Sequence, residues 1–322
     1  MNKKPARLTQ AYLAGYFQQK GGDCMKRSLM KRRKPMRWLI FFLTPALIIY
    51  TVFWMFPIVL TGVISLTDWK GTTAFSQANF VGLKNYVTLF QDSILKIALW
   101  NNLVYGLVMI LVVPVVSFVI AYIIENFVRR KAFFRTVAYL PAILPTIVVV
   151  LLWKWIYNPQ YGLLNQLFEL VGLDGLTTGW LTNSSTALGA VTFVSIWKTV
   201  PVYFVLFLAG LQSVPQDLIE AAILDGANRW QTIRHVTLPS IRSVTTIVYT
   251  LVFIDIFRVF ELVYAMTNGG SGYYNTEMIL TYAYKTTFTN SNASYGMAIS
   301  MVLIFVVLAS TVVQLKLGKN KE

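Results

Sequence analysis

Glu220-Ala221-Ala222-Ile223-Leu224-Asp225-Gly226-Ala227-Asn228, running on to Leu238-Pro239, is a short stretch of small and polar residues set between two long apolar ones. A loop that was merely solvated would not need Ala-Ala followed by Gly at this spacing. Small residues let one short helix pack closely on another, Gly226 permits a tight turn, and Pro239 ends the second segment. The stretch therefore reads as a compact helix-turn-helix presented to a partner. Its surroundings decide where that partner stands.

Those surroundings are apolar. Of 322 residues, 56% are hydrophobic, 15% aromatic and only 13% charged, whereas soluble domains carry about 25% charged residues. Mean hydropathy is +0.58. One globular core cannot bury that much apolar surface, and a lipid solvent removes the need. Six stretches are long enough to cross about 30 Å of hydrocarbon at about 1.5 Å per residue: Trp38–Leu66, Ile97–Ile124, Thr136–Tyr157, Ala187–Leu211, Val244–Met266 and Ala293–Leu315. The expected architecture is an all-α membrane domain, residues 38–315, with the quoted motif in a loop, 213–242, between the fourth and fifth spans. A basic arm (1–37) precedes it and a tail (316–322) follows.

The formal charge of +15 and a pI near 9.8 would suit a nucleic-acid binder, so the positions of the cations decide. Eleven of the 28 Lys and Arg residues lie in 1–37, and ten more fall in the Phe127–Arg135 loop, the Ser213–Arg242 loop and the C-terminal tail. The opposite side holds only Lys70, Lys84, Lys96 and Lys285. Positive loops stay in the cytoplasm during insertion, which puts both termini there. The cations have this topological use, no aromatic RNA platform accompanies them, and membrane lipid rather than nucleic acid is the expected surroundings.

Cys24 and His235 are the only cysteine and histidine, so disulfide and His-rich metal chemistry drop out. The first apolar stretch is too long for a signal h-region and is expected to remain as an anchor. Lys20-Gly21-Gly22-Asp23 can be encoded by a ribosome-binding string ahead of Met25. Translation from Met25, with 1–24 untranslated, is one reading, and an amphipathic segment around Leu8–Phe17 is the other.

The run Gln212–Pro239 resembles the binding-protein-dependent ABC importer permeases, whose signature is Glu-Ala-Ala, three residues, Gly, and later Leu-Pro. Further marks resemble the carbohydrate (MalF/UgpA-like) branch. They are Phe80-Val81-Gly82-Leu83-Lys84-Asn85-Tyr86, Trp155-Ile156-Tyr157-Asn158-Pro159, Thr267-Asn268-Gly269-Gly270 with Thr276, and Tyr295-Gly296. Ser271 and Ser243 depart from it by standing where relatives place proline. The resemblance implies a type I importer permease fold. It implies a coupling helix in which Glu220, Ala221, Ala222, Asp225, Gly226, Leu238 and Pro239 dock on an ATPase. The implied partners are a second, different permease subunit, two cytoplasmic ATPase subunits and an extracytoplasmic solute-binding protein. The implied location is a bacterial inner membrane. No G-x-x-x-x-G-K-[ST] occurs, so ATP and Mg are expected on the ATPase and this chain is not expected to be an enzyme.

Ionisable residues inside spans usually face a bundle interior or an aqueous path. Asp255, Arg258 and Glu261 recur every three residues, which puts them along one helical face as either an internal salt-bridge ladder or a substrate contact. By resemblance, Ser195, Lys198, Thr199 and Arg258 line the sugar path. Two cations there would favour an anionic sugar, yet Lys198 could equally neutralise Asp255 or Glu261. Lys154, among Trp153, Trp155 and Tyr157, reads as a snorkelling cation in an aromatic belt. The competing class is an ion-coupled secondary transporter using Asp255, Arg258 and Glu261 as a relay.

Overall fold

The computed structural model describes residues 36–270 and 274–319, without the side chains of 36–39 and 313–319. The Met25 start, the Leu8–Phe17 segment and Ser271 lie outside the described residues. Two compact units divide the chain, Met1–Leu60 and Thr61–Glu322. Helix α1 (Met36–Tyr50) runs through a π-helical turn (Thr51–Met55) into α2 (Phe56–Ser65). The turn has a local cause. Pro57 has no N–H, and Phe56, just before it, donates to Thr51 O, five residues back.

The second unit is built around one long helix. After α3 (Lys84–Gln91), α4 (Ser93–Phe127) packs chiefly against α8 (Ala187–Gln212) and α12 (Arg242–Arg258). Between α4 and α8 lie α5 (Lys131–Ile143), α6 (Thr146–Ile156) and the short α7 (Leu163–Leu170); between α8 and α12 lie α9 (Gln216–Leu224), α10 (Arg229–Thr232) and α11 (Leu238–Ser240). Then come α13 (Glu261–Thr267), α14 (Ile279–Tyr284) and α15 (Ala293–Lys319). No strand occurs among the described residues, only an isolated Thr67–Phe80 bridge. The core joins Met109 and Val113 of α4 to Phe204 and Phe207 of α8 and Val248 and Val252 of α12. Gly106 sets the α4–α12 spacing, since a Cβ there would meet Ile256 Cγ2 at 2.7 Å.

Four helical stretches are long and apolar enough to cross a membrane unaided: Ile40–Ser65, Ser93–Phe127, Ala187–Gln212 and Ala293–Val312. The number reaches six when each of two bent pairs is one crossing: α5 with α6, bent by 93°, and Arg229–Ser240 with α12, bent by 75°. The continuous third span expected over Thr136–Tyr157 is thus broken at Leu144-Pro145, where proline cannot continue the ladder. The fifth span expected over Val244–Met266 is not one helix either. It ends at Arg258, and Phe260, at φ −140° and ψ −67°, separates it from α13.

Candidate functional site

The quoted stretch folds as a helix, a turn and a second helix. Pro215 stands at the entry to α9, where fixed φ and a missing N–H are tolerated. At the other end Gly226 N–H donates to Ile223 O at 3.0 Å and Ala227 N–H to Ala222 O at 2.9 Å. This is the Schellman pattern, which needs a left-handed residue, and Gly226 has φ +83°. A Cβ on Gly226 would meet nothing within 4 Å, so the backbone conformation, not crowding in the free chain, calls for glycine. Asn228 then opens α10 with a capping box: Gln231 N–H donates to Asn228 Oδ1 at 2.9 Å, and Asn228 N–H to Gln231 Oε1 at 2.7 Å. The Asn-x-x-Gln spacing carried that signal in the sequence.

A π-helical turn (Ile233–Thr237) leads into Leu238-Pro239, and Leu238 N–H reaches back to Ile233 O. It repeats the geometry seen before Pro57, and the chain bends at Ile241 into α12. Ser243 sits exposed in the first turn of α12. Glu220, Ala221, Asp225, Gly226, Leu238 and Pro239 are all exposed, and Ala222 is half-buried. Ile223, Leu224 and Trp230 are 59%, 88% and 67% exposed. Neighbouring apolar side chains left this open on a polar loop form an exposed apolar patch of the kind that marks interaction sites.

The basic loops gather at the same end of the bundle as this motif. Glu125 pairs with Lys131 at 2.9 Å and Arg135 at 2.6 Å, and accepts from Gln212 Nε2 at 3.3 Å. Arg229 lies over the Phe127 ring at 5.0 Å. The opposite end is fastened separately, largely by the family marks. Asn85 Nδ2 donates to Ser65 O and Thr67 O, each at 2.8 Å, and Thr67 Oγ1 pairs with Ser294 Oγ at 2.9 Å. Asn158 Oδ1 turns the chain beyond α6, accepting from Gln160 and Tyr161 N–H. Asn268 and Gly269 both take positive φ, and Thr267 and Thr276 hydroxyls meet at 2.6 Å.

Two polar clusters at that end were invisible in the sequence. Asp92 caps α4 through Ile94 and Leu95 N–H and accepts both the Tyr282 and Tyr295 hydroxyls at 2.6 Å. Burial pushes its carboxyl up, but those four hydrogen bonds outweigh burial and hold it below the ordinary carboxylate value. Glu277, fully buried, pairs with Lys285 Nζ at 2.7 Å; burial nonetheless raises its carboxyl above the usual range. Asn101 and Asn102 add a clamp. Asn102 Nδ2 donates to Ile256 O at 3.1 Å while its Oδ1 accepts Ile279 N–H at 3.0 Å, so one amide joins the end of α12 to the start of α14.

The intramembrane residues do not form one constellation. Ser195 is buried and bonds back to Val191 O at 3.1 Å, and Thr199 is half-buried. Lys198 Nζ donates to Leu144 O at 2.9 Å, satisfying a carbonyl at the bend between α5 and α6. Asp255 is exposed on α12 and accepts the Tyr203 hydroxyl at 2.6 Å. The single face expected for Asp255, Arg258 and Glu261 is cut by the break: Arg258 ends α12 and Glu261 begins α13. Each charge stands at the helix end whose dipole favours it. Nor is there a salt-bridge ladder, since the ion pairs among the described residues are those of Glu125 and Glu277.

A bundle of apolar helices, fastened by polar clusters at one end and offering an exposed helix-turn-helix at the other, has the build of a membrane component with one face left open. Residues 115–316 match the family described as "Binding-protein-dependent transport system inner membrane component", and the chain belongs to that family. It is 38% identical over 281 residues to the "Probable ABC transporter permease protein YurN" of Bacillus subtilis (strain 168), covering 87% of this chain and 95% of the relative. It is 31% identical to the "Trehalose/maltose transport system permease protein MalF" of Thermococcus litoralis, covering 86% and 92% of the two. Its fold is that of a chain in a solved bacterial ABC transporter involved in the import of the acidic polysaccharide alginate, with TM-score 0.79, 24% identity, and coverage of 91% and 99%.

Proposed function

We propose that this chain is one permease subunit of an ATP-driven importer, forming part of the path for a sugar or oligosaccharide handed over by an extracytoplasmic binding protein. The observation that carries the reading is the exposed Gln216–Ser240 helix-turn-helix, whose backbone is specified by caps while Ile223, Leu224 and Trp230 lie exposed. The loop 213–242 engages one of two cytoplasmic ATPase subunits, which bind ATP and Mg. A second permease subunit completes the path. Residues 38–315 form the membrane domain, and the arm 1–37 and tail 316–322 are cytoplasmic, on the same side as the loop. A carbohydrate cargo is supported by the relatives of this family that carry sugars in their names.

The path residues are Ser195, Lys198, Thr199, Asp255, Arg258 and Glu261, with differing duties. Lys198 is engaged by a backbone carbonyl, so the case for an anionic cargo rests on Arg258. The ion-relay alternative is disfavoured, because Asp255, Arg258 and Glu261 share neither a helix nor an ion pair.

The test is uptake of the binding protein's ligand into membrane vesicles containing this chain and the products of its neighbouring genes. Uptake should need ATP and be abolished by Gly226→Trp while the complex still assembles. Uptake that follows an ion gradient without an ATPase, or that survives Gly226→Trp undiminished, overturns the proposal.

A further inference from the structure

The helix-turn-helix has little seat of its own. α9 and α10 pack on each other and on the π-helical turn Ile233–Thr237, and neither lies broadly against a spanning helix. A segment supported only by itself wanders before a partner meets it, and ordering it then weakens docking. Its stems are firmer. Leu211 at the end of α8 and Ile241 just before α12 are buried in the same apolar cluster as Ile124 of α4, and Val214 packs against that cluster. Gly210 lets the stems close, since a Cβ there would meet Val244 Cγ2 at 3.1 Å.

Two further contacts tie the segment to the last turn of α4. At its entrance Gln212 Nε2 donates to Glu125 Oε2 at 3.3 Å, and at the start of α10 the Arg229 guanidinium lies over the Phe127 ring at 5.0 Å. Both anchors are themselves fixed. Lys131 and Arg135 of α5 hold the two Glu125 oxygens at 2.9 and 2.6 Å, and the Phe127 ring meets the Tyr122 ring edge-on at 6.1 Å. One turn of one spanning helix, residues 125–127, thus holds the segment at its entrance and at its middle. Phe127 is half exposed, and a cation over a ring in that setting favours the held arrangement by a factor of ~2–5.

We infer that Glu125 and Phe127 are positioning residues for the helix-turn-helix: they aim it before the ATPase docks, and so set how much solute moves per ATP hydrolysed. The inference rests on the proposed role of the segment and adds two residues that lie outside it. With both ties in place, a displacement of the segment passes to α8 and α12 through the stems. With a tie cut, the segment takes up part of that displacement as its own rotation, and ATP is hydrolysed without import.

The test has two arms. In nanodiscs holding the full chain without its ATPase, hydrogen exchange is followed at the Thr232 amide, which donates to Asn228 O at 2.9 Å in α10. Phe127→Leu keeps the bulk and loses the ring face; it and Arg229→Met should each speed exchange ~2–5-fold, the double variant no further, and Phe127→Trp should leave it slow. In the assembled importer, Phe127→Leu and Glu125→Gln should raise the ATP hydrolysed per solute imported ~2–5-fold, while Phe127→Trp keeps the wild-type ratio. Exchange that ignores Phe127→Leu overturns the inference. So does a ratio that stays at the wild-type value while less complex assembles, because the residues would then only stabilise the fold. Failure of the underlying reading looks different: wild-type uptake would need no ATP, or would survive Gly226→Trp, and both claims would fall together.

Discussion

Replacing Gly226 separates two reasons for a glycine. Its φ of +83° closes the Schellman turn through the Gly226 and Ala227 N–H groups, and a Cβ would find open space. In the free chain, then, Gly226→Ala costs only the left-handed conformation, about 1–2 kcal/mol. Asn tolerates that region better, so Gly226→Asn costs less. A local cost of that size opens the turn ~5–30-fold more often. Hydrogen exchange on the full chain in lipid nanodiscs should show the Ala227 amide exchanging faster by that factor in Gly226→Ala, and much less so in Gly226→Asn. ATP-driven uptake adds the second comparison. If the partner ATPase approaches the Gly226 Cα closely, Gly226→Asn transports worse than Gly226→Ala although its turn is firmer. If the turn alone matters, the order reverses. Unchanged exchange at Ala227 in Gly226→Ala would refute the conformational argument.

Other expectations follow from the polar clusters and helix contacts. Asp92→Ala, which removes the cap of α4 and the acceptor of two tyrosines, should cost about 0.5–2 kcal/mol, read as faster exchange at Ile94 and Leu95. The Asp92 carboxyl is depressed in the folded state, so its contribution is present above the ordinary value of 3.8 and fades as pH falls through the depressed value. Exchange corrected for intrinsic rates should show that loss at acid pH, and Asp92→Asn should abolish the pH dependence. Glu277→Gln strands a largely buried Lys285 and should cost about 3–5 kcal/mol, with recovery in the Glu277→Gln, Lys285→Met double variant by thermal melting. Lys198→Met should cost about 1–3 kcal/mol by leaving Leu144 O unmet, and should lower uptake of neutral and anionic sugars alike. Gly106→Ala should weaken the α4–α12 contact, and the loss in melting temperature should be smaller in an Ile256→Ala background, which lacks the Cγ2 that the new methyl meets.

The parts of this fold that were readable in sequence are those a single residue or a composition window enforces. Gly226 and Pro239 constrain their own backbone, so the helix-turn-helix could be written down from the motif. Apolar runs announced the spans, and the cations announced which loops gather. Pro145 also carried the 93° bend, but hydropathy averages over a window and passes through a break without registering it. Val259-Phe260 is harder still, because two apolar residues give no local sign of the turn they make. The same break undid the three-residue spacing of Asp255, Arg258 and Glu261. Asp92 with Tyr282 and Tyr295, or Asn102 with Ile256 and Ile279, are joined across the fold. Nothing in one strip of sequence pairs a donor with an acceptor that far away.

The Asn102 amide has a mechanical consequence. Helix α12 leaves the helix-turn-helix at Ile241 and finishes within reach of that one side chain, which also grips the first residue of α14. A push received at the Ile241 end therefore cannot swing α12 without tugging on Ile279 and the buried Glu277–Lys285 pair beyond it. Asn102 works as a rivet through two plates, fastening the end of α12 to the start of α14.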